Sequence, residues 1–127
     1  MNPLYNIYRD YLECLNRQAW NELRNFICDR VIYNKQEIGL TGYRSMLERN
    51  FRDIPDLYFK SELLVVDSSF VACRLEFDCS PTGIFMELPV NGRRVQFAEN
   101  VFYEFSDDKI KEVWSVIDKA SIEKQLS

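Results

Sequence analysis

Two carboxylates, Glu99 and Asp118, lie in an aromatic-rich stretch where residue type and spacing admit proton-transfer chemistry. The stretch divides into two alternating runs, residues 94–105 and 110–118, around the turn Ser106-Asp107-Asp108-Lys109, and so reads as a β-hairpin. With Phe105 opposite Ile110, counting outward sets Tyr103 opposite Glu112, Val101 opposite Trp114, Glu99 opposite Val116 and Phe97 opposite Asp118. Alternation then gathers Phe97, Glu99, Val101, Tyr103, Trp114, Val116 and Asp118 on one sheet face and Gln96, Asn100, Glu104, Lys111 and Ser115 on the other. A carboxylate on an aromatic, covered face loses hydration, which raises its pKa towards the range of a working acid or base, and a second carboxylate nearby raises one of the two further. Trp114, Phe97, Val101, Tyr103, Tyr11, Trp20 and Tyr33 are the candidate walls of a pocket for a small hydrophobic or aromatic ligand.

The same residues admit a plainer arrangement. Asp118 can end its strand and cap the turn into residues 120–126, a bulge can free Glu99 to solvent, and core packing accounts for most of the rings singly.

The chain contains no histidine, which excludes Ser-His-Asp and Cys-His nucleophiles, HExxH zinc sites and any histidine base. Thr82-Gly83 is a turn and not a phosphate loop, since no GxxxxGK[ST] or GxGxxG surrounds it. Cys73 and Cys79, six apart in one strand and therefore on one face, read as small core residues. No metal and no cofactor is expected.

The elements that must position these groups follow from periodicity. Leu4, Ile7, Tyr8, Tyr11, Leu12 and Leu15 form the stripe of an amphipathic helix. Ala19, Trp20, Leu23, Phe26 and Ile27 suggest a second, shorter helix folded against it. A short strand at residues 31–33 precedes a helix over residues 43–52 with Thr41 as its cap, stopped at Ile54-Pro55. Five strands follow, over residues 57–66, 70–79, 84–89, 94–105 and 110–118. Helices first and a meander of strands afterwards predict an α+β domain with helices on one face of an antiparallel sheet.

The 127 residues suffice for one domain, 1–127, with its own core. A net charge of -4 and the absence of a basic cluster argue against nucleic acid as a partner. No apolar run is long enough to span a membrane and no export signal is evident at the N-terminus, so a cytoplasmic protein with reduced thiols at Cys14, Cys28, Cys73 and Cys79 is expected.

From Val101 to Asp118 the chain resembles the closing segment of SnoaL-like polyketide cyclases and related ester cyclases: aromatic, Glu, Phe, a turn, Lys-Ile, a Trp and an acid four residues later. The likeness extends to Gly42-x3-Met46, Ile54-Pro55-Asp56, Pro81-Thr82-Gly83, the run from Asn91-Gly92 to Phe97, and Gln125-Leu126. It implies the NTF2-like fold, a strongly curved antiparallel sheet whose mouth is filled by N-terminal helices, commonly a homodimer through the outer sheet face. It implies further that Asp118 acts as acid and base in an intramolecular aldol closure, abstracting a proton next to a carbonyl, with Trp114 walling the pocket; the residue pattern adds Glu99 as the group that tunes Asp118. The family's substrate-holding histidine has no counterpart here; its neighbourhood falls on Phe102, Tyr103 or Glu104, and its Thr-His-x-Gly turn on Ser80-Pro81-Thr82-Gly83. The expected function is a polyketide or ester cyclase, or an isomerase, working by carboxylate acid-base catalysis. The competing expectation is a non-catalytic ligand-binding or dimerisation module on the same scaffold.

Overall fold

A computed structural model describes all 127 residues. Helix α1 (Leu4–Asn16) buries Leu4, Tyr8, Tyr11, Leu12 and Leu15, the stripe read from the sequence. Its start is held by Asn2, whose Oδ1 accepts from the Leu4 N–H at 3.0 Å while its Nδ2 donates to the Ser68 carbonyl at 2.9 Å. The second helix shrinks to a 3₁₀ segment, Trp20–Asn25, because its apolar stripe is too short to compete with the sheet for Ile27. Ile27 instead opens strand β1 (Ile27–Tyr33), where it pairs with Ile110.

A two-residue turn at Asn34-Lys35, both with positive φ, returns the chain to β2 (Gln36–Glu37). Helix α2 runs from Gly39 to Asp53, starting four residues before the expected residue 43, so Thr41 lies inside it and is not its cap. Gly39 makes this start possible: its φ is +68°, and a Cβ there would stand 3.2 Å from the Asp29 carbonyl oxygen. The helix ends at Ile54, before Pro55, as the sequence requires.

The sheet then builds through β3 (Lys60–Asp67), β4 (Phe70–Cys79), β7 (Val95–Ser106) and β8 (Lys109–Ile117), with a small hairpin of β5 (Ile84–Phe85) and β6 (Leu88–Pro89) between them. Spatial order in the main sheet is β2-β1-β8-β7-β4-β3, antiparallel throughout except for β1 beside β8. Its inner face buries Val71, Cys73, Leu75, Phe77 and Cys79 of β4 and Phe97, Val101, Tyr103 and Phe105 of β7. Helix α3 (Lys119–Leu126) folds back beside β7, where Gln125 bonds both the N–H and the carbonyl of Gln96 at 2.8 and 2.6 Å.

The β7–β8 hairpin departs from the expected register at one point. Phe105 pairs with Ile110, but Glu104 pairs with Glu112, leaving Lys111 as an extra residue. Beyond this bulge every partner moves by one: Tyr103 faces Val113, Phe102 faces Trp114, Val101 faces Ser115 and Glu99 faces Ile117. Trp114 and Val116 therefore lie on the outer face, and Ser115 takes the inner place expected for Trp114.

Candidate functional site

Strand β7 carries Phe97, Glu99, Val101 and Tyr103 on the concave face, so these four share one sheet face as expected. Glu99 stands between Leu75 of β4 and Ile117 of β8, with Phe97 on one side along the strand and Val101 on the other. The bulge brings Ser115 diagonally opposite, and its hydroxyl donates to Glu99 Oε2. Glu99 Oε1 has no hydrogen-bond partner in the protein, and no buried side-chain oxygen lacks a partner, so Oε1 is open to a water-sized guest.

Around this carboxyl is a group of phenols. Tyr11 and Tyr43 share a hydrogen bond of 2.7 Å, and Tyr8 donates to Tyr103 at 3.2 Å. Tyr33 meets Tyr43 edge-on at 6.2 Å between centroids, and Tyr11 meets Tyr103 at 6.1 Å. Burial pushes the hydroxyls of Tyr11, Tyr43, Tyr103 and Tyr33 above the ordinary tyrosine range, and the negative charge of Glu99 adds to the rise in each. Glu99 itself is raised by loss of hydration, with the Ser115 hydrogen bond pulling the other way. The result is a carboxyl able to hold a proton nearer neutrality, facing hydroxyls that stay protonated and can donate. A hydrogen bond within the Tyr11–Tyr43 pair consumes one O–H and leaves the second for another acceptor.

Ser115 is held from behind. Its N–H donates to Asn34 Oδ1 at 2.8 Å and its carbonyl accepts from Asn34 Nδ2 at 3.2 Å, while the Asn34 N–H reaches the Val113 carbonyl at 2.9 Å. Tyr33 joins this interior to the surface. It lines a hollow of about 500 Å³ between the β1–β2 turn and α2, together with Ile38, Gly42, Ser45, Met46 and Arg49. None of the five main hollows of the surface is lined by Glu99.

Three sequence-derived site residues are not brought to Glu99. Asp118 is exposed and outside the cone: its Oδ1 accepts from the Ser121 N–H at 3.1 Å, capping α3, and its own N–H donates to the Ala98 carbonyl at 3.0 Å. The expected Glu99–Asp118 pairing fails because the Lys111 bulge shifts the register and the chain then turns into α3. Trp114 sits on the outer face beside Phe102, with the Lys35 ammonium 5.7 Å from its ring. Trp20 packs edge-on against Phe51 at 5.6 Å, the first contact in a run of rings through Phe59 and Phe77 to Phe97. Ser115, Tyr43 and Asn34 were not anticipated. Tyr43 lies at the i+3 and i+4 spacing with Met46 and Leu47, which marks the buried face of α2.

A helix-filled, strongly curved sheet with a polar group at its inner wall defines the NTF2-like class of α+β folds. The family model of the SnoaL-like polyketide cyclases matches residues 5–126, and the chain belongs to that family. It is similar to a SnoaL-like polyketide cyclase from Agrobacterium tumefaciens, with 56% identity over 100% of both chains and a TM-score of 0.98. At the level of fold it also resembles IdmH of Streptomyces antibioticus, described as a candidate polyketide cyclase (18% identity, 98% and 99% of the two chains, TM-score 0.84). AclR of Streptomyces galilaeus, described as a candidate hydroxylase, is a further such likeness (19% identity, 97% and 94%, TM-score 0.78). No curated protein matches the chain. No helix is long and apolar enough to cross a membrane.

Proposed function

We propose that this chain works on a small, largely apolar carbonyl compound by proton transfer at the adjacent carbon, as in an aldol cyclisation or an isomerisation, with Glu99 as the acid-base group. The observation that carries this reading is the asymmetry of the Glu99 carboxyl: Oε2 is engaged by Ser115, and Oε1 is unbonded on a wall of phenols. Oε1 would take the proton, and a tyrosine O–H would stabilise the oxyanion that forms. Phe97, Val101, Tyr103, Tyr11 and Tyr33 are the contact residues, and Tyr33 is the side chain past which a ligand would pass from the α2 hollow. Asp118 and Trp114, the residues that family resemblance favours, are assigned no chemistry. The test is deuterium uptake next to the carbonyl in a panel of aromatic β-keto esters, followed by NMR in heavy water. Uptake should vanish in Glu99→Gln and persist in Asp118→Asn; the reverse pattern overturns the assignment.

A ligand-binding module without catalysis is the second reading, supported by the absence of a main hollow beside Glu99 and by the missing histidine. No uptake with any panel member, alongside ligand-induced thermal stabilisation, would favour it. For either reading we propose a cytoplasmic homodimer through the outer sheet face. There Val65, Ala72, Phe102 and Trp114 form one row across four strands, with Phe102 59% and Val65 54% exposed.

A further inference from the structure

We infer that Asn34 is the positioning residue of the site, its side chain fixing the Ser115 backbone so that the Ser115 hydroxyl holds one oxygen of Glu99 and leaves the other free. The inference rests on Glu99 being the acid-base group and extends that reading to a residue outside the cone.

The geometry arises where strand pairing stops. β1 runs parallel to β8 as far as Tyr33 opposite Val113, and Asn34, with φ of +46°, turns away into the hairpin. From there the backbone of β1 cannot reach Ser115, whose N–H and carbonyl on that side would otherwise be left to water. The Asn34 carboxamide supplies one acceptor and one donor, at 2.8 and 3.2 Å, and so replaces the missing rung of the ladder. Which end of the amide is which follows from the two groups it serves. Few residues fit here: Asn tolerates a left-handed backbone, and its side chain carries both a donor and an acceptor. The far side of Ser115 is set by the bulge at Lys111, which turns its hydroxyl inward. Rotation or slippage of Ser115 about this clamp would release Oε2 of Glu99, since no other protein group bonds that carboxyl. The remaining groups that feel the Glu99 charge are Tyr11, Tyr33, Tyr43, Tyr103 and Cys73, and none is held by Asn34.

The test uses the full chain and Asn34→Gly, which keeps the left-handed turn without strain and removes only the carboxamide. The Glu99 carboxyl is titrated by carbon-13 NMR, assigned with Glu99→Gln. Because the Ser115 hydroxyl favours the charged form, Asn34→Gly should raise the Glu99 pKa in the same direction as Ser115→Ala, and the double variant should go no further. Exchange of the Ser115 amide hydrogen should accelerate about two- to tenfold, the loss expected for one hydrogen bond, while β8 amides bonded to β7 stay protected. An unchanged Glu99 titration in Asn34→Gly, with Ser115→Ala shifted, overturns the inference. Amide exchange at Ser115 that does not respond overturns it as well. An ordinary carboxylate pKa for Glu99 in the parent chain overturns instead the reading on which it rests.

Discussion

Replacing Glu99 by Gln keeps the shape of the side chain and an acceptor for the Ser115 hydroxyl while removing the charge, so it isolates the cost of holding a carboxylate among rings. The native chain binds the Glu99 proton more tightly than the unfolded chain, whose value lies near 4.5. Between that value and the raised native one, the folded state keeps a proton the unfolded state has lost, so stability falls as pH rises through this window and levels off above it. Each tenfold change in the acid constant is worth about 1.4 kcal/mol. With an unfolding entropy of roughly 2.1 cal/mol/K per residue, 127 residues give about 0.27 kcal/mol/K, so each tenfold step moves Tm by about 5 °C. Thermal unfolding of the parent and of Glu99→Gln, followed by circular dichroism from pH 3.5 to 8, should show Gln more stable at neutral pH and the two converging below pH 4.5. A gap that does not change with pH, or a less stable Gln variant at pH 7, would refute the claim that Glu99 is held against its hydration.

Other substitutions probe the rest of the frame. Asp118→Ala should lower Tm by about 4 °C through loss of roughly 1 kcal/mol of helix capping, whereas Asp118→Asn, an equally good cap, should leave the melting curve in place. Tyr43→Phe should cost about 1–2 kcal/mol by stranding the buried Tyr11 hydroxyl, and the double variant with Tyr11→Phe should cost less than the sum of the singles in urea denaturation. Gly39→Ala, which forces a Cβ into a left-handed position 3.2 Å from the Asp29 carbonyl, should lose about 1–2 kcal/mol in the same assay. Phe102→Asp on the outer face should leave the fold intact by circular dichroism and halve the mass measured by light scattering if the outer row is the dimer contact.

The sequence carries the architecture well where a single face decides the outcome. The stripe of α1, the alternation of β4 and the stop at Ile54 follow directly from periodicity and proline geometry, and the inward facing of Glu99 is correct for the same reason. The failures share one cause. Alternation counted outward from the Asp107-Asp108 turn is only as good as the assumption that no residue is inserted, and Lys111 is inserted. Nothing local in Ile110-Lys111-Glu112 announces a bulge; the choice is made by burial, which seats Ile110 and Val113 inside together. That one residue exchanges Trp114 for Ser115 and removes Asp118 from the cone. The clamp from Asn34 was illegible for a different reason, since the sequence separation of 81 residues hides a contact that exists only once β1 lies parallel to β8.

The place of β8 between β1 and β7 also governs the order in which the molecule can be assembled. In the chain β8 comes after both strands it touches, so within the N-terminal third β1 has only β2 to pair with until residues past Val113 have been made. The contacts of Tyr8 with Tyr103 and of Ile27 with Ile110 tie that third to the closing hairpin across more than half the chain's length. A nascent polypeptide halted before this hairpin therefore leaves Tyr8 without Tyr103 and β1 without its neighbour β8, and a ribosome-bound chain of that length is the form in which the protein most needs a chaperone.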